Sequence, residues 1–177
     1  MRKITLIALL FALIWQANAQ ISESFENPIL KKHELKLDLS YLLLGAFKVE
    51  YEYLLNSRSS IGAVGILNPS FVFKDDNPLV KTQFLGFYRW YFLEKFVASG
   101  LFLEGNLGVT SGYWNDRHDS HKLGKYTSFG CGGALGWKHV NKRGITLDIF
   151  GGFGVLLTDE ASPGFYPRVG ICLGKRF

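Results

Sequence analysis

The feature that most restricts this chain is an alternation of apolar and polar residues with a period of two, repeated through most of its length. In segment 34–44, Leu35, Leu37, Leu39, Tyr41 and Leu43 fall on one side of an extended chain, and Lys36, Asp38 and Ser40 on the other. In 47–54, Phe47, Val49, Tyr51 and Tyr53 alternate with Lys48, Glu50 and Glu52. The phasing returns as Leu101, Leu103, Leu107 and Val109 against Glu104 and Asn106, and as Ile145, Leu147, Ile149, Phe153 and Val155 against Thr146 and Asp148. Successive side chains of a strand point to opposite faces, so this pattern specifies strands with one apolar and one polar face.

Eight such segments are predicted: 34–44, 47–54, 60–67, 82–92, 100–109, 126–138, 145–155 and 166–177. Most run about 9 to 12 residues. A strand tilted across a bilayer needs about that length, whereas soluble strands average about 5 or 6. The links alternate as well. Segments 55–59, 93–99 and 139–144 are short, 68–81, 110–125 and 156–165 are long, and 45–46 is the one exception. Tight turns on one side and long loops on the other are the pattern of an outer-membrane barrel.

The apolar faces of the even-numbered segments end in aromatics: Tyr51 and Tyr53, then Tyr88, Trp90 and Phe92, then Trp137, and finally Phe177. Tyr and Trp favour the level where lipid meets water, so these residues are predicted to form one aromatic girdle.

The start of the chain points to export. Arg2 and Lys3 precede an uncharged apolar run over 4–15 and then Ala17-Asn18-Ala19, the order of a cleavable secretory signal over 1–19. The run is too short to span a bilayer as a helix. Residue 20 is Gln where a lipid anchor needs Cys. The expected organisation is a signal peptide over 1–19, a periplasmic lead-in over 20–33 and a single barrel over 34–177.

The last segment, with Val169, Ile171, Leu173 and a terminal Phe177, resembles the C-terminal assembly signal of bacterial outer-membrane barrels. Lys175 stands where that family often has another apolar residue. With the strand pattern and the girdle, the mature chain resembles the small barrels of the outer-membrane protein A and X type. The resemblance implies an all-β fold, an eight-stranded antiparallel transmembrane barrel with up-and-down topology. It also implies a bacterial outer-membrane location with both termini periplasmic, contact with outer-membrane lipid and lipopolysaccharide, and recognition by the barrel-assembly machinery.

Strand phasing sends Lys36, Asp38, Lys48, Glu50, Glu52, Arg89, Glu104, Lys138, Asp148, Arg168 and Arg176 to the interior. An eight-stranded barrel is just wide enough for side chains to fill it, and buried charges persist when paired. A salt-bridged plug is therefore the expected interior, with Arg89 and Glu104 opposite one another across a hairpin. Gly130, Gly132, Ala134 and Gly136 on the sixth segment are predicted to leave room for long Arg and Lys side chains.

Four functions are compatible with this pattern. The favoured one is a structural or adhesive surface barrel; the others are a narrow pore, a lipid-modifying enzyme and a soluble lipocalin-like carrier. Loop 110–125 holds His118 and His121 beside Asp116 and Asp119, a weak candidate for a metal or catalytic cluster that a solvated loop would contain in any case. No cofactor is expected. Removing Arg2 and Lys3 with the signal takes the net charge from +5 to +5 − 2 = +3, too little for a nucleic-acid partner. Cys131 and Cys172 are phased to opposite faces of non-adjacent segments and are expected to be free thiols.

Overall fold

The computed structural model describes residues 31–68, 80–93, 98–115, 123–157 and 163–177. The expected signal over 1–19 and most of the expected lead-in lie outside them, as do His118 and His121. The described chain runs β1 (His33–Asp38), α1 (Leu39–Leu43), β2 (Phe47–Leu54), β3 (Ser59–Leu67), β4 (Thr82–Leu93), β5 (Gly100–Asn115), β6 (Leu123–Val140), β7 (Ile145–Leu156), β8 (Phe165–Pro167) and β9 (Gly170–Arg176). Each barrel strand pairs antiparallel with the next, β6 pairs with β7, β7 with β9, and β9 returns to β1. The result is a closed eight-stranded up-and-down barrel, with β8 an added short strand that extends the line of β9 along β7.

Closure follows from the alternation. A sheet with one charged and one apolar face, curled shut, leaves no open edge, and its narrow interior takes one face only. The short turns match their sequences: the Asn56 and Asn141 side chains accept hydrogen bonds from the backbone N–H of Arg58 and Arg143, each 2.8 to 2.9 Å long. Gly144 closes the second turn with φ 76°, a backbone position natural to glycine.

Three predicted boundaries are corrected. The first strand does not run to residue 44. It stops at Asp38, whose carboxylate accepts the N–H groups of Ser40 and Tyr41 and so starts α1, and Gly45 at φ 82° ends that turn. Capping by Asp38 and Gly45 outweighs the alternation of Leu39, Tyr41 and Leu43, and the expected lead-in gives its last residue, His33, to β1. The last strand is interrupted. Pro167 cannot donate to a ladder, and the chain breaks between β8 and β9, although Arg168 N–H still bonds Gly152 O at 3.0 Å. Finally, β5 continues to Asn115 and β6 begins at Leu123, so residues 110–115 and 123–125 of the predicted loop extend the β5/β6 ladder beyond the neighbouring strands.

Candidate functional site

The interior is the chemically distinctive part of the molecule. Among the described residues, six acidic side chains (Glu34, Asp38, Glu50, Glu52, Glu104, Asp148) and six basic ones (Lys36, Lys48, Arg89, Lys138, Arg168, Arg176) are buried there. These six carboxylates are all the acidic side chains of the described residues. The charge is balanced.

Register brings the first partners together. Lys36 lies opposite Glu50 on β1 and β2, Arg89 opposite Glu104 on β4 and β5, and Lys138 opposite Asp148 on β6 and β7. Glu34 and Glu52 also face one another, a pairing of like charges that would repel if left alone. Lys138 resolves it by reaching across the barrel to bond Glu34 at 2.9 Å and Glu52 at 2.7 Å. Lys36 likewise contacts Glu52 and lies 2.6 Å from Asp148.

Arg89 is the hub. Its guanidinium donates to Glu104 at 2.9 Å, Glu52 at 2.8 Å and Asp148 at 2.9 Å, and lies 2.8 Å from Glu50. The rings of Phe87 and Phe102 stand 4.5 Å from it. The expected Arg89 and Glu104 pair is thus one edge of a larger network, because Glu104 also accepts two bonds from Arg168, at 2.7 and 3.0 Å. Arg168 comes from the break between β8 and β9, which aims its side chain inward.

Two further groups mark the ends. Towards the short turns, Arg176 bonds Glu34 at 2.8 Å. Towards the long loops, Lys48 sits 2.7 Å from Asp38, donates to Val169 O at 2.8 Å and lies over the Tyr41 ring. Apolar layers bracket the charges. Leu54, Tyr91, Ala98 and Phe102 pack at the turn end, and Val64, Ile66, Leu85, Tyr126 and Leu156 at the loop end, where Tyr41 of α1 covers them.

Glu50, Glu52 and Asp148 hold carboxylate oxygens within 4.8 Å of one another, a spacing a cation can bridge. Lys36 and Arg89 already fill that role with their own charges. The ensemble therefore takes side-chain cations, and the chemistry it supports is mutual neutralisation.

Every interior residue named from phasing, Lys36, Asp38, Lys48, Glu50, Glu52, Arg89, Glu104, Lys138, Asp148, Arg168 and Arg176, is buried inside the barrel. Glu34 was not among them, although it shares the parity of Lys36 and is wholly buried. Tyr91, in phase with Arg89, donates to Glu52 at 2.7 Å, and Tyr166 donates to Asn106 at 2.6 Å. Parity would have found all three. The inward glycines of β6 do something other than expected. A side-chain carbon at Gly136 would meet the Phe102 ring and the Phe150 Cβ, and one at Gly130 would meet the Tyr166 ring, so aromatic side chains occupy the space foreseen for Arg and Lys.

On the outer wall stand Tyr51, Tyr88, Trp90, Phe92, Trp137 and Phe177, all exposed and all towards the turn end, with Tyr53 partly covered. His33 links three of them: its Nδ1 lies 2.6 Å from Tyr51 Oη, and its ring packs against Tyr53 and Phe177. Phe177 and His33 also exchange backbone hydrogen bonds of 2.8 and 3.2 Å across the β1/β9 seam. Val169 and Ile171 face outward, and Leu173 is partly covered. Lys175 is half-buried between Leu35 and Ile145. Cys131 is exposed, Cys172 is buried, and both are free.

Comparison with known protein families, curated proteins and solved structures finds no match to this chain.

Proposed function

We propose that the chain is an integral outer-membrane barrel with a sealed interior, a rigid scaffold that holds its long links at the cell surface for a structural or adhesive role. One observation carries this reading, the inversion of polarity across the wall. Leu35, Val49, Ile61, Phe84, Leu107, Leu135, Ile149 and Ile171, one from each of the eight barrel strands, are 43 to 65% exposed, while the balanced charges are inside. A continuous apolar belt of this extent has no place on a water-soluble monomer, and burying it in lipid removes its cost. The aromatics at the turn end support the same orientation, with the turns and the C-terminal strand facing the periplasm.

A soluble lipocalin-like carrier would need an apolar cavity where this barrel holds twelve charges. A pore would need a wet path where the charges are paired and bracketed by apolar layers. Fractionation with a heat-modifiability assay tests the proposal. The folded barrel is expected in detergent extracts of the envelope, and Leu107→Arg, which sets a cation on the belt, is expected to lose about 2 to 4 kcal/mol of stability in a bilayer. Recovery from a detergent-free soluble extract, or no effect of Leu107→Arg, refutes it.

A further inference from the structure

With all the described acidic side chains inside, the charged side chains on the outer surface of the described residues are cations, among them Lys32, Lys81, Lys125, Lys142, Arg143 and Lys175. Two of them stand together at the loop end of the belt. Tyr113 of the extended β5/β6 ladder pairs in register with Lys125, and Lys81 Nζ lies 5.6 Å from the centre of the Tyr113 ring. No ion pair to either lysine is found among the described residues.

Directly below runs a groove of about 480 Å³ in the outer wall, lined by Phe47, Gly65, Phe84 and Val109 and closed at its upper lip by Thr82 and Ser111. Lys81 precedes Thr82 in the chain, and Tyr113 is the next outward residue after Ser111. The floor is Gly65, where an added side-chain carbon would meet nothing within 4 Å. The two lip hydroxyls bond one another at 2.8 Å on the outward face. From bottom to top the wall thus offers an apolar trough, a pair of hydroxyls, then two lysines flanking an aromatic ring.

We propose that this trough binds a phosphate-bearing membrane lipid of net negative charge, its acyl chain along Gly65 and its phosphate between Lys81 and Lys125. The order of groups matches that of the lipid, from apolar tail through the ester region to the anionic head, and its charge complements the lysines. A second groove of about 480 Å³, over Gly133 and Gly151, sits in the middle of the belt and is lined by Leu103, Leu135 and Phe153 without a basic residue. It is the internal control.

The proposal rests on the membrane reading, and the experiment separates the two. The full chain is refolded into vesicles of phosphatidylcholine and phosphatidylglycerol, and native mass spectrometry counts the lipids each barrel retains. A Lys near an anionic lipid surface contributes about 1 kcal/mol, so two predict roughly a thirtyfold preference for phosphatidylglycerol. Lys81→Gln with Lys125→Gln is expected to abolish that preference and Gly65→Trp to block retention with the lysines intact. Gly151→Trp, also open to the outside, is expected to change nothing. Millimolar inorganic phosphate should not displace the lipid. An inserted, heat-modifiable barrel with equal retention of both lipids, a double variant or Gly65→Trp that binds like the parent, or displacement by phosphate overturns the site alone. A chain that inserts into neither kind of vesicle overturns the membrane reading together with the site.

Discussion

Replacing Arg89 by Ala tests the interior most directly. The change removes one of six buried cations and leaves six carboxylates, so a neutral interior acquires an uncompensated negative charge. Glu104 keeps Arg168, Glu52 keeps Lys138 and Lys36, and Asp148 keeps Lys36, which limits the damage at any one carboxylate. No remaining partner lies at the centre of the four, and the stacking on Phe87 and Phe102 is lost as well. Removing one side of a buried pair typically costs about 3 to 5 kcal/mol, against at most about 1 for an exposed pair. The expected loss for Arg89→Ala is therefore about 3 to 5 kcal/mol. Adding Glu104→Ala returns the interior to five against five and should recover part of it, though only part, because Arg168 then loses its strongest partner. Arg89→Met, which keeps much of the volume without the charge, should fall between the parent and the Ala variant. Urea unfolding of the refolded barrel, followed by tryptophan fluorescence, reads each midpoint, and single-channel recording reads the seal. Little conductance is expected from the parent. Unchanged unfolding and conductance in both Arg89→Ala and Glu104→Ala would mean that these side chains share no common interior, and the strand phasing would be wrong.

Deleting Phe177 removes the residue that exchanges two backbone bonds with His33 across the seam, and should reduce the folded, heat-modifiable fraction while export continues; a normal folded fraction counts against this. Gly136→Leu drives a side chain into Phe102 and Phe150 and should cost about 1 to 3 kcal/mol in the same urea assay, whereas Gly151→Leu, on the open outer wall, should be nearly neutral. Thiol labelling should distinguish the cysteines: Cys131 reacts with an apolar maleimide in detergent and is shielded in a bilayer, while Cys172, behind the wall beside Asp38, reacts only after unfolding. Labelling of Cys172 in the folded barrel would contradict its placement.

The amino-acid order carried a great deal of this architecture, for a local reason. A strand alternates faces with a period of two, so the parity of Lys36, Arg89 or Asp148 within its segment decides its side of the wall whatever the partner. Strand number, the meander and the tight turns at Asn56 and Asn141 were legible for the same reason, since each is written in a few adjacent residues. Even α1 had its local signals in Asp38 and Gly45, although the alternation running through them masked both. What only closure decided is who meets whom. Lys138 reaches Glu34 from 104 positions away because tilt and stagger bring non-adjacent strands to one height inside a narrow tube, and Arg176 meets Glu34 from 142 positions away because closure sets β9 beside β1. The role of Arg89 as a hub, the balance of six against six, the rings that fill the glycine gaps and the trough beneath Lys81 depend on that convergence. None of them is written in a run of neighbouring residues, since each joins side chains from several strands whose relative heights exist only once the sheet has closed on itself.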